Sequence, residues 1–399
     1  MRGEGSMPVL KNKEEWAFLT GEERLDDWIR YHYGLDLVSV EPVGGVLKLE
    51  TDQGFFVLKR VRMREKDRWQ QIARLADFLS MEKGLSFRMP NPVRTKRKKI
   101  FFDGYRYPYV LLPWLEGETP QLNKAEEWRQ LSRGMASFHL ATAGFENRKM
   151  PDPWNRIGKW GDWWLQVYKE MEIFHLAARW TAVPTELDEI WRKVSHYSLG
   201  LMKNLLKYSV KTGLDRLCLE TEKFGNISHG RWHRRNLLIQ PDGAFALIDW
   251  NEMVADVRAA DLADWLMYAY GRTQSPEVIK IILSGYQEAS ELTDADYALI
   301  YARLLFPGQL VRHLRNVYLN EKKPGDFTVR LVHQAIQTEQ KKANLLKCYA
   351  QLARDHFHAS FPEIDWIHKK EDPVPEGGDH YRENDNDWEE DSFSNDPYS

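Results

Sequence analysis

One stretch of this chain gathers residue types able to handle a phosphorylated ligand. It reads Ile227-Ser228-His229-Gly230-Arg231-Trp232-His233-Arg234-Arg235-Asn236-Leu237-Leu238-Ile239, and a Pro241-Asp242-Gly243 turn joins it to Phe245-Ala246-Leu247-Ile248-Asp249-Trp250. Two short apolar strands joined by a tight turn bring Asn236 and Asp249 close together, and an amide oxygen beside a carboxylate suits a hard cation such as magnesium. The plainer reading is that Asn236 caps a turn and Asp249 caps the loop that follows. Far upstream, Lys59 ends the apolar run Val57-Leu58-Lys59, where a strand-borne ammonium can reach the phosphates of a nucleotide. Leu112 and Trp114 lie where a later apolar run leaves the same region, so their backbone is the expected neighbour of an adenine edge. His229, His233 and Asp249 can also be drawn as a metal triad, but no fourth ligand stands at a workable spacing.

These residues must be held by elements whose periods differ along the chain. Residues 13 to 34 alternate charged and apolar positions at helical spacing and end at Gly34, a natural C-terminal cap. From Leu37 the period changes to two, and turns at Gly44-Gly45 and Asp52-Gln53-Gly54 divide the segment into an antiparallel meander of three strands. A helix is expected over 66–83, then two strands flanking Asp103-Gly104. Residues 37–115 thus form a small sheet lobe with one helix. Helical spacing dominates 116–357, with helices near 124–142, 159–180, 185–209, 258–270, 276–289, 294–318 and 327–357. From 358 onward a linker and a disordered acidic tail are expected.

Composition narrows the function classes. The 399 residues carry a net charge of -3, which excludes a uniformly basic nucleic-acid binder. That balance is uneven, because Lys369–Ser399 holds eleven acidic and three basic residues and leaves the body at +5. Arg94–Lys99 has five basic residues in six and reads as a solvated hairpin tip able to meet an acidic partner rather than nucleic acid. Two cysteines, Cys218 and Cys348, cannot build a disulfide scaffold or a cysteine zinc site. With no signal-like leader and no long apolar run, a cytosolic protein without a membrane segment is expected. Most of the 16 tryptophans are expected in the core.

The order of a sheet lobe with a lysine, a linker, and a helical lobe carrying H-G-x-x-H-x-x-N and I-D-W resembles the aminoglycoside and choline phosphotransferase family, a branch of the protein-kinase-like fold. Leu131–Phe145, Leu115-Glu116-Gly117-Glu118, Asp256 and the Asp261-Leu262-Ala263 helix start look similar too, so the likeness covers roughly 37–357. Within the family the chain is most similar to the bacterial spore-coat, CotS-type kinase-like proteins. The features are the Gly-poor first turn, Leu58-Lys59-Arg60, Ser137-Phe138-His139 and the helix around Arg303–Tyr318 interrupted by Pro307. The resemblance implies a two-lobed α+β fold, ATP and magnesium as cofactors, Lys59, Leu112, Trp114, Asn236 and Asp249 around the nucleotide, and other spore coat proteins as partners.

The departures bear most on activity. Where the family has an aspartate that accepts or orients the substrate proton, this chain has Arg231, and a guanidinium has no lone pair to accept a proton. Loss of a general base costs on the order of 10²- to 10⁴-fold in rate. His233 is a remote substitute. The acid expected to partner Lys59 has only ambiguous candidates in Glu65, Asp67, Asp77 and Glu82, and Gly44-Gly45 is a poor phosphate cradle. The expectation is therefore a noncatalytic or strongly impaired kinase-fold coat component, assembled in the mother-cell cytoplasm and acting through protein contacts. The alternatives are an ATP-dependent phosphotransferase and a nucleotide-gated binding module.

Overall fold

The structure is a computed structural model, and it describes residues 12–364 apart from 83, 86, 148, 149, 153 and 320–324. Strands β1 (Leu37–Val43), β2 (Val46–Thr51) and β3 (Gly54–Arg60) form the meander that their alternation implies. After helix α3 (Lys66–Ser80) and the short β4 (Phe87–Arg88) come β5 (Phe101–Asp103) and β6 (Pro108–Pro113), giving an antiparallel sheet in the order β1-β2-β3-β6-β5.

Alternation assigns the two faces of this sheet different work. Val40, Leu47, Leu49, Leu58, Tyr109 and Leu111 form one core with Trp16, Leu25 and Ile29 from the leading helices α1 (Lys13–Thr20) and α2 (Leu25–Tyr33). The opposite face carries Lys48, Val57, Lys59 and Leu112, because residues paired across antiparallel strands share a face and Lys48 is registered with Val57, Val57 with Leu112.

The leading segment departs from the single helix expected over 13–34. Gly21 takes φ 71 and ends α1, and the Glu22 carboxylate accepts from the N–H groups of Tyr105 (2.7 Å) and Arg106 (3.1 Å) and from the Tyr109 hydroxyl (3.1 Å). A long-range cluster that no local pattern announces breaks the helix there. Gly34, at φ 78, caps α2 as its position implies.

The helical part comprises α4 (Ala125–Thr142), α5 (Trp160–Trp180), α6 (Glu186–Thr212), α7 (Leu214–Thr221), α8 (Ala259–Thr273), α9 (Pro276–Gln287), α10 (Asp294–Leu305), α11 (Gly308–Tyr318) and α12 (Asp326–Asp355). Helix α7 was not foreseen, and Pro307 divides 294–318 into two helices. Trp160, Trp164 and Trp191 are fully buried. A second sheet, β4-β8-β7, joins β7 (Leu237–Ile239) and β8 (Phe245–Leu247) to β4, which runs parallel to β8.

In the stretch expected as a linker, Phe361 and Pro362 pack against α10 and α6. Phe361 lies 5.4 Å from the Tyr301 ring, and the Tyr208 hydroxyl donates to the Pro362 carbonyl at 2.8 Å. The acidic tail expected beyond them lies outside the described residues. Arg94–Lys99 is a turn held on α2, where the Lys96 N–H donates to the His32 carbonyl (2.7 Å) and the Arg97 guanidinium lies 5.7 Å from the Tyr31 ring. Among the described residues no helix is long and apolar enough to cross a membrane.

Candidate functional site

The segment 227–236 is shaped by a buried carboxylate at the start of α8. Asp261 accepts from the Ser228 hydroxyl (2.7 Å) and the Gly230 N–H (3.0 Å) through one oxygen, and from the His229 N–H (2.8 Å) and His139 Nε2 (3.3 Å) through the other. Burial alone would raise its pKa, yet these donors and the neighbouring histidines hold it below the usual carboxylate value. The Nε2–H of His139 faces the carboxylate, so its Nδ1 accepts from the Tyr286 hydroxyl at 2.8 Å. Burial keeps that ring neutral, against the pull of Asp261. Gly230 completes the bend. It sits at φ 75, and a Cβ there would lie 2.3 Å from the Glu252 carbonyl, so only glycine fits without displacing backbone.

His229 is part of this frame. Its Nε2–H donates to the Ile248 carbonyl at 3.0 Å, its ring stands edge-on to Trp250 at 4.7 Å, and burial lowers its pKa. Its Nδ1 is buried without a hydrogen-bond partner among the described residues. The same contact joins the loop to the end of β8 and so fixes Asp249, which takes φ 63 in the left-handed region.

Two of the predicted cofactor residues, Lys59 and Asp249, meet at this point. Lys59 Nζ lies 2.6 Å from Asp249 Oδ1, with the two side chains 15% and 32% exposed. Burial would raise the pKa of Asp249, but Lys59, with help from His229 and Arg231, carries it below the ordinary value. Asn236 is buried and donates its amide N–H to the Arg231 carbonyl at 3.0 Å, which orients its side chain beside the loop. Asn236 and Asp249 supply one amide oxygen and one carboxylate, the protein half of a magnesium site whose other ligands would be phosphate and water. Among the described residues no group of three or more His, Cys, Asp or Glu is placed to hold a metal, so His229, His233 and Asp249 do not make a triad.

Arg231 is exposed, and its guanidinium makes no hydrogen bond or ion pair among the described residues. Its charge acts on both neighbours, holding down the pKa of His233 as well as that of Asp249. His233 is pushed down to about 4, by burial first and then by Arg231 and His229, which leaves it a weak base.

Among the described residues no carboxylate of the small-lobe helix pairs with Lys59. Glu65 accepts from the Arg62 N–H at 3.3 Å, Asp77 binds Arg94 and Asn91, and the ring of Trp69 on α3 has its centroid 5.8 Å from the ammonium. The partner of Lys59 is Asp249 itself. At the exit from β6, the Trp114 N–H is already given to the Phe55 carbonyl at 3.0 Å, while Leu112 is paired with Val57 in the sheet. Sequence reasoning missed Lys48, whose ammonium lies 4.6 Å from the Trp114 ring and 4.7 Å from that of Phe55. The register that places Lys59 on this face places Lys48 there too, so the strand alternation held the signal. It also missed Asp261 and His139 as the anchors of the loop.

Comparison with known proteins agrees with this geometry. The family model described as "Spore coat putative kinase YutH" matches residues 26–349. The endospore coat-associated protein YutH of Bacillus subtilis (strain 168) is 25% identical over 236 residues, which cover 58% of this chain and 66% of that protein, a little under two thirds of its length. An aminoglycoside phosphotransferase from Alicyclobacillus acidocaldarius superposes with a TM-score of 0.63 at 15% identity, covering 81% of this chain and 94% of its own. A spectinomycin phosphotransferase in complex with ADP and spectinomycin gives 0.55 at 16%, covering 82% and 97%. At such identities these likenesses speak to the fold alone: a small antiparallel sheet with a larger helical part, as in kinase-like phosphotransferases. The match over 26–349 is most of the chain, and the chain belongs to the spore coat YutH family of kinase-like proteins.

Proposed function

We propose that this chain is a noncatalytic or strongly impaired kinase-fold component of the bacterial spore coat that acts through protein contacts. The observation that carries the reading is Arg231. It stands next to the glycine bend of the loop, two backbone positions from the His229 frame, where the resemblance calls for a proton-accepting carboxylate. A guanidinium stays protonated and has no acceptor lone pair, so it cannot take a proton from an attacking hydroxyl. His233, lowered to about 4, is a poor replacement. The spore coat assignment is supported by the family description and by the Bacillus subtilis relative's printed role as a coat-associated protein.

Nucleotide binding without transfer is the second reading, favoured by the meeting of Lys59 and Asp249, with the Asn236 backbone carbonyl hydrogen-bonded to the N–H of Ile248 next to Asp249. ATP with magnesium would have to separate Lys59 from Asp249, giving the ammonium to phosphate and the carboxylate to the metal. Such a ligand would act as a gate by favouring one arrangement of the partner surface. The deciding experiment is thermal unfolding with and without magnesium-ATP, followed by a transfer assay with labelled terminal phosphate. A ligand at a hundredfold over its Kd adds about 2.7 kcal/mol. No shift and no transfer is the result expected of a scaffold, a shift without transfer would favour the gate, and transfer would overturn the noncatalytic reading. Absence of the chain from purified spore coats would overturn the assignment to the coat.

A further inference from the structure

Downstream of Asp249 the chain passes a group of arginines that the site described above does not use. The segment 251–256 is bound on one side by α3, where the Arg68 guanidinium donates to the Asn251 carbonyl and lies 4.8 Å from the Trp154 ring. On the other side, backbone bonds from Ala255 N–H to the Trp154 carbonyl (2.8 Å) and from Arg156 N–H to the Ala255 carbonyl (2.9 Å) draw in the loop before α5. Arg156 then stacks on Trp163 at 4.1 Å, and Arg303 of α10 lies over the same ring at 5.2 Å.

Two like charges on one indole need compensation, and Asp256 and Asp264 supply it through their field without closing a short hydrogen-bonded pair. Arg303 reaches Asp264 only at 3.6 Å, and its Nη1 is buried with no hydrogen-bond partner among the described residues. Arg156 makes no ion pair and no side-chain hydrogen bond among the described residues. Asp256 is fully buried, and its Oδ1 is taken by the Trp160 Nε1–H and the Val257 N–H, both at 2.9 Å. Its Oδ2 has no partner among the described residues, so the carboxylate does not close on either guanidinium. Arg315, whose field also reaches Arg156, is already tied to Glu170 at 2.6 Å. The indole holds both guanidinium groups through cation–π attraction, and Arg156 keeps its N–H edges without a hydrogen-bond partner among the described residues. Planar N–H forks of this kind match the paired oxygens of carboxylate and phosphate.

We propose that Arg156 and Arg303, with Arg68 at the flank, form an oxyanion-binding site for the carboxylates of an acidic peptide segment or for a phosphate group. The site goes beyond the proposed coat role, because it stands whether or not the Lys59–Asp249 pair handles a nucleotide. It also sets the sign of any ligand beside the loop: an anion is welcome and a polycation is repelled.

The test is calorimetric titration of the full chain, without nucleotide, using hexaglutamate, inorganic phosphate and hexalysine in separate runs. Binding of hexaglutamate, of phosphate or of both, with hexalysine inert, is the expected result, and which anion binds more tightly identifies the source. Arg156→Gln should weaken that binding at least tenfold, and Arg156→Lys, which keeps a cation over Trp163 but loses the fork, by a smaller factor. Arg303→Gln provides the second loss-of-site variant should Arg156→Gln fail to fold. Silence with both anions, tighter binding of hexalysine, or affinities unchanged in folded variants would overturn the proposal.

Discussion

Asp261 and Asp249 lie at opposite ends of the same loop and have opposite fates. Asp261 is wholly buried, and both its oxygens are saturated by donors from 228–230 and from His139. Asp249 is one third exposed, sits in a left-handed backbone conformation, and has one side-chain partner, Lys59. The first carboxylate is architecture: removing it leaves several buried donors without acceptors. The second is a displaceable contact, because a partly exposed ion pair contributes little and is open to competition from phosphate and metal. On the function proposed above, the frame of the loop is kept while the residue that would take the proton is changed.

The comparison is broken most severely by Asp261→Ala. Leaving the Ser228, His229, Gly230 and His139 donors unsatisfied should cost roughly 3–5 kcal/mol, read as a lowered urea midpoint at unchanged slope. A loss below about 1 kcal/mol would show that the loop is held by something else.

Acid titration probes the same frame through its histidines. The folded pKa of His233 lies near 4, below the ordinary 6.5, and burial lowers those of His139 and His229 as well. The unfolded chain therefore binds more protons in this window, so stability is whole above about pH 6.5 and is lost as pH falls towards 4. In His233→Gln the wild-type loss across that window should shrink by roughly 1 kcal/mol, after allowance for partial exposure. Superimposable pH profiles would remove His233 from the account.

Lys59→Met tests the other carboxylate and should cost about 1 kcal/mol or less. Because the folded pKa of Asp249 is depressed, the pair's contribution is present above the unfolded carboxylate value and is lost as pH falls through the folded one. The gap between wild type and variant should thus hold steady from pH 5 to 8 and close only below about pH 4. A gap that closes near pH 6 would assign the effect to a histidine.

The smallest effect on stability is expected from Arg231→Asp, within about 0.5 kcal/mol, since the side chain is exposed. The same variant sharpens the functional contrast. With Lys59 bound to Asp249 and paired among the described residues with no carboxylate of α3, the restored carboxylate should still yield no labelled transfer. Transfer by this variant would locate the whole lesion at position 231.

Sequence alone determined the strand meander, most of the helix boundaries, the short hairpin that follows Asn236, and the presence of a guanidinium two residues beyond His229. These are local matters: period-two and helical spacing read directly as exposed and buried faces, a short hairpin joins its own ends, and the chemistry of Arg231 travels with its residue type. The register of the meander even carried Lys48 onto the face of Lys59. Tertiary structure decided what depends on long-range approach. The break at Gly21 answers to Glu22 binding the 105–109 turn, and the partner of Lys59 is 190 positions away rather than on the adjacent helix. The anchor of the loop joins Asp261 to His139, and the arginines over Trp163 converge from α10 and the loop before α5. No spacing along the chain encodes such meetings, because they are set by how packed helices and a twisted sheet bring distant side chains within a few ångströms of one another.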